Sequence, residues 1–131
     1  MSKKSKKNPT ETELEILQIL WQYGPSTVKF INEKQNESKV VGYTTTLKIM
    51  QIMSKKGMLK VDKESRQHVY TPTISEKETQ TKLLDRFLSV AFSGSATKLV
   101  LQALGDHNPS QEELAEIKKL IQDIENQSKD S

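Results

Sequence analysis

The sequence has no cysteine in 131 residues. That absence excludes a disulfide framework, a thiol nucleophile and every thiolate metal site, and it suits a reducing compartment. Histidine is nearly as scarce: His68 and His107 are the two present, and neither has a partner at metal-ligand or catalytic-triad spacing. Five glycines are too few for a phosphate-cradling loop. No apolar run approaches the ~18 residues of a membrane span, and the charged start, MSKKSKKNP, leads into no apolar signal segment. The expectation is a soluble cytoplasmic protein without cofactor or metal. Core-forming material is also short, with 34% hydrophobic against 28% charged residues, so a second copy of the chain is expected to complete the buried surface.

What is present is periodic. Thr10-x-x-Glu13 forms a capping-box pattern ahead of Leu14, Ile16, Leu17, Leu20 and Trp21, which predicts a helix over 10–23 stopped by Gly24-Pro25. Ser26 is the expected N-cap of a second helix through Gln35, with Val28, Phe30 and Ile31 as its apolar stripe. A polar loop over 36–39 precedes a third helix over 43–56. Thr44 lies near its N-cap, Leu47, Ile49, Met50 and Met53 form its apolar side, and Gly57 is placed for a left-handed C′ stop. Two alternating stretches, 58–62 and 68–71, flank Lys63-Glu64-Ser65-Arg66-Gln67 and predict a β-hairpin with a charged tip.

The remainder reads as helical. Ser75-x-x-Glu78 opens a helix that runs to Gly94, Ser95 caps a short one ended by Gly105, and Ser110-x-x-Glu113 opens a last one before a polar tail. The fold class is mainly α with a small β-hairpin: a disordered basic arm over 1–9, a winged helix-turn-helix over 10–74, a helical dimerisation arm over 75–126 and a disordered tail over 127–131. Three short amphipathic helices cannot bury their own faces. Leu84, Phe87, Leu88, Leu99, Val100, Leu114, Ile117, Leu120 and Ile121 are therefore expected to pack against a second copy in a closed two-fold dimer.

Charge divides the same way. Residues 1–75 hold 13 Lys/Arg against 7 Asp/Glu, a net +6, while residues 76–131 hold 7 against 10, a net −3. A basic first half attracts a phosphate backbone and an acidic second half is repelled by it. Three helices and a hairpin within the basic part predict a third helix lying in the major groove of double-stranded DNA with the wing beside it. Its polar face is Tyr43, Thr44, Thr45, Lys48 and Gln51. Thr44 and Thr45 are assigned to phosphate positioning at the helix N-terminus, Lys48 and Gln51 to base readout, Lys55 and Lys56 to the backbone beyond the helix end, and Arg66 to a groove or phosphate at the wing tip. Thr46 is expected to face the core. The Lys3-Lys4 and Lys6-Lys7 pairs are candidates for added nonspecific affinity.

Two other readings compete. Ser95-Ala96-Thr97-Lys98 matches the Ser-x-x-Lys element of serine β-lactamases, but the companion Ser-Asp-Asn and Lys-Thr-Gly elements are missing and an N-cap role accounts for the serine, so no enzyme is expected. A winged helix also serves as a protein-interaction module; such a module more often exposes an apolar patch where this third helix is polar.

The runs TETELEILQILWQYG, YTTTLKIMQIMSKKGMLK and RQHVYTP resemble the penicillinase-repressor family, the BlaI/MecI/CopY-like bacterial regulators, over residues 8–125. The matching features are Trp21-x-x-Gly24, Tyr43-Thr44-Thr45, Lys56-Gly57 and the wing-closing Tyr70. The resemblance implies a homodimeric repressor on a palindromic operator and, as in the β-lactam-responsive branch, a membrane sensor-protease as partner. The corresponding flexible point is Phe92-Ser93-Gly94-Ser95, where the Asn–apolar bond cut in that branch is absent. Ile52 stands where the family usually has a basic residue, and the missing cysteines exclude thiolate copper sensing.

Overall fold

A computed structural model of the chain describes residues 8–64 and 66–130. The chain divides into two compact units, Met1–Leu84 and Asp85–Ser131. The Lys3-Lys4 and Lys6-Lys7 pairs lie outside the described residues.

The first unit is built on three helices, α1 (Glu11–Tyr23), α2 (Val28–Gln35) and α3 (Tyr43–Lys55), and three short strands, β1 (Ser26–Thr27), β2 (Leu59–Asp62) and β3 (Val69–Pro72). The strands form an antiparallel sheet in the order β1-β3-β2, with Val61 opposite Tyr70 in the hairpin and Ser26 opposite Tyr70 on the other edge. The expected capping box closes α1: the Thr10 hydroxyl accepts from the Glu13 N–H, and the Thr10 N–H donates to Glu13 Oε1 at 2.9 Å. Ile16, Leu17 and Leu20 of α1, Val28 and Ile31 of α2, Met50 and Met53 of α3, and Met58, Leu59 and Tyr70 of the hairpin are all buried in one core. Their three- and four-residue spacing turns a single stripe of each helix inward.

Several expectations are corrected locally. Ser26 does not cap α2. It pairs in β1 and donates to the Gly24 carbonyl, leaving Thr27 as the cap whose hydroxyl accepts from the Phe30 N–H. Two residues were too short a strand to show any alternation in the sequence. Thr44 lies near the N-cap of α3 as expected, on its first turn; the cap itself is Gly42, which provides no side-chain bond. Gly57 does adopt φ +88°, and the Met58 N–H reaches back to the Met53 carbonyl, so the helix stops where expected.

Three further helices complete the chain: α4 (Glu76–Phe92), α5 (Ala96–Asp106) and α6 (Gln111–Asp130). The segment leading into α4 is tied to the three-helix head. Trp21 Nε1 donates to the Ile74 carbonyl at 3.1 Å, the Thr73 hydroxyl donates to the Gly57 carbonyl, and Thr79 is buried. Gly105 lies within α5, which runs on to Asp106. The tail expected to be disordered from 127 continues α6 to Asp130; Asn126-Gln127-Ser128-Lys129 contains no glycine or proline to break the helix, and Lys129 complements its C-terminal dipole.

One ion pair ties the start of α1 to the end of α3. Lys56 Nζ lies 2.7 Å from Glu13 Oε2, with the Glu13 side chain only 5% exposed. Burial pushes the Glu13 carboxyl up, but the Lys56 hydrogen bond and charge and the Thr10 N–H outweigh it and hold the group below its ordinary value. A carboxyl depressed on folding stabilises fully above its unfolded value and loses that contribution as pH falls through the lower folded value. Glu13→Gln should cost about 1–3 kcal/mol at neutral pH. In urea titrations of the full chain, the gap to wild type should narrow as pH falls through the carboxylate range; a gap independent of pH would contradict the role of the charge.

Candidate nucleic-acid interface

The orientation of α3 is set from its buried side. Thr46, Met50 and Met53, at helical spacing, are fully buried. Thr46 faces the core as expected, and its hydroxyl donates to Gln35 Oε1 at 2.6 Å while accepting from Asn32 Nδ2 at 2.9 Å. Asn32 Nδ2 also donates to the Val41 carbonyl, and Asn36 closes the loop by donating to that carbonyl and accepting from the Val41 N–H. These bonds from α2 define both the loop and the first turn of α3. The sequence does not single out Asn32, Gln35 and Asn36, because polar residues on a helix or in a polar loop read as solvent-facing; the offset of about one turn between Asn32 and Asn36 is the available signal.

With that stripe inward, Lys48, Gln51, Ile52 and Lys55 share the opposite, exposed face of α3. They line a groove completed by Val61 and Lys63 of the wing, His68 and Tyr70. A second groove, sharing His68 and Tyr70, is lined by Tyr43, Leu47, Arg66 and by Thr27 and Lys29 from the start of α2. Among the described residues, Lys29, Lys48, Lys55, Lys63 and Arg66, which line these two grooves, are held in no ion pair and are exposed along α3, the wing and α2. Lys29 and His68 join the face through folding; nothing in their local sequence distinguishes them from solvated surface residues. Burial keeps the Tyr70 phenol above its ordinary value, with Tyr43 adding to the shift, so Tyr70 is a neutral wall of both grooves.

The remaining expected contacts divide. Tyr43, Thr44 and Thr45 are exposed on the first turn of α3, where backbone N–H groups have no side-chain cap. Thr45 borders a separate depression with Gln35, Lys39 and Gly42. Lys56 lies one residue past the end of α3 with its ammonium paired to Glu13, while the adjacent Lys55 is held in no ion pair among the described residues.

In the second unit, no residue from Asp85 to Lys129 is buried. Of the expected dimerisation residues, Phe87, Val100, Leu120 and Ile121 are exposed, as is Leu84 just before the unit begins; Leu88, Leu99, Leu114 and Ile117 are half-buried. Val90, Leu101 and Ile124 are exposed as well. Phe87 and Phe92 meet edge to face at 5.5 Å. Serine caps hold α5 and α6, with a full capping box between Ser110 and Glu113. No single described helix is long and apolar enough to cross a membrane.

Known proteins resemble this chain in sequence and, over part of its length, in structure. The chain is 26% identical to the penicillinase repressor of Bacillus licheniformis over 92% of its own length and 94% of that protein. The solution structure of the DNA binding domain of the repressor BlaI superposes with a TM-score of 0.50 at 26% identity, covering 60% of this chain and 93% of that one. The sequence also matches the penicillinase repressor family over residues 9–123. The chain thus belongs to the penicillinase repressor family, whose members are transcriptional regulators and not enzymes.

Proposed function

We propose that this chain is a cytoplasmic homodimeric repressor that binds a palindromic operator through α3 and the wing, with residues 10–74 as the DNA-reading head and 75–126 as the dimerising arm. The observation that carries the reading is the two-sided α3: one stripe locked in the core, the other offering Lys48, Gln51 and Lys55 unpaired beside a wing bearing Arg66. Lys48 and Gln51 read base edges, Lys55 and Arg66 grip the backbone, and the uncapped first turn with Tyr43, Thr44 and Thr45 positions a phosphate.

Dimerisation follows from the arm's unsatisfied apolar surface. A helical unit whose described residues include no buried side chain lacks the burial needed to offset its own ordering entropy, and a second copy supplies it. Two linked heads then bind as one, so separation of the protomers releases the operator. A membrane sensor-protease, as the resemblance implies, would act at the break between α4 and α5, where Ser93 and Gly94 take φ of 50° and 81°.

Titrating the full chain against the DNA upstream of its own gene and against random duplex, at two salt concentrations, tests the whole reading. Two copies on a symmetric site support it; equal weak binding to both duplexes refutes it in favour of a protein-interaction module. Lys48→Ala and Gln51→Ala should each cost about 1–3 kcal/mol and relax base preference. Lys55→Ala should weaken every duplex alike and lower the salt slope by about one. Ile121→Glu should yield monomers in sedimentation with the fluorescence of Trp21, the chain's single tryptophan, unchanged; a persistent dimer would remove α6 from the interface.

A further inference from the structure

The DNA-facing side of α3 contains one residue that cannot make a polar contact. Ile52 follows Lys48 by four residues and precedes Lys55 by three, so it shares their face, and it is 41% exposed in the groove between α3 and the wing. The core has no need of it: Met53, the next residue, and Met50 are fully buried in its place. An exposed β-branched side chain between Lys48, Gln51 and Lys55 is a cost in water and in a phosphate contact alike. The partner that rewards it in the major groove is the 5-methyl group of thymine, the one apolar feature on any base edge there.

We propose that Ile52 is a specificity residue that packs on a thymine methyl in each operator half-site, adjacent to the base contacted by Gln51 or Lys48. The inference rests on the DNA-binding reading above and adds to it a base identity at one position. Isoleucine has no donor or acceptor, so it discriminates through methyl contact alone, and the discrimination is independent of salt. Arginine or lysine at the same place would add a salt-dependent phosphate or guanine contact instead.

The test uses duplexes enriched from a random-sequence pool by the full chain, remade with deoxyuridine replacing thymine at one position at a time. Uracil removes only the methyl group and leaves pairing and the polar edge intact. One thymine per half-site should emerge whose replacement weakens wild-type binding about three- to fivefold, the scale of one buried methyl. Ile52→Ala should bind the thymine and uracil duplexes equally, and the wild-type ratio should be the same at both salt concentrations. No methyl-sensitive position, or one whose penalty persists in Ile52→Ala, overturns the assignment while leaving DNA binding intact. Failure of the pool to enrich overturns the DNA-binding reading itself, and this one with it.

Discussion

The stripe of Thr46, Met50 and Met53 on α3 is the constraint on which the rest depends. Because all three are fully buried, the helix has one rotational setting, and the side chains a half-turn away are presented outward without alternative. The methionines provide apolar burial against α1, α2 and the hairpin, but they are adaptable and would tolerate small rotations. Thr46 is not adaptable in this way. Its short hydroxyl must meet Gln35 and Asn32 at hydrogen-bond distance, and the polar contact selects one setting where greasy packing would accept several.

The same setting sorts the lysines at the end of the helix. Lys55 and Lys56 are neighbours in sequence and have opposite fates: a step of one residue carries the side chain about 100° around the helix, from the open face to the side above α1. Lys56 there meets Glu13, whose carboxylate also caps α1, so one acidic group joins the start of the first helix to the end of the third. Charge in the head is thereby divided between a pair that holds the fold and cations left free for a polyanion.

The arm obeys a different balance. Its helices are well capped and regularly patterned, yet their apolar side chains are half-buried at most. Local signals specify that helices form; they do not specify what the stripes pack on. In the head the stripes of three helices and a hairpin converge on one another, whereas Phe87, Val100, Leu120 and Ile121 remain exposed and call for another surface.

Six helices and the hairpin were legible from the sequence because each is announced by period and punctuation: Thr10 and Glu13, Gly24, Gly57, Ser75, Ser95, Ser110 and Glu113 are local rules. The polar face of α3 with Lys48 and Gln51 was legible for the same reason, as the complement of an apolar period. What the tertiary structure alone decided are relations across the chain: the edge pairing of Ser26 and Thr27 with β3, the Asn32–Thr46–Gln35 clamp, the capture of Lys56 by Glu13, and the arrival of Lys29 and His68 beside α3. Periodicity records which way a side chain points from its own axis. Which partner it meets there depends on elements tens of residues away, and no local pattern encodes that distance.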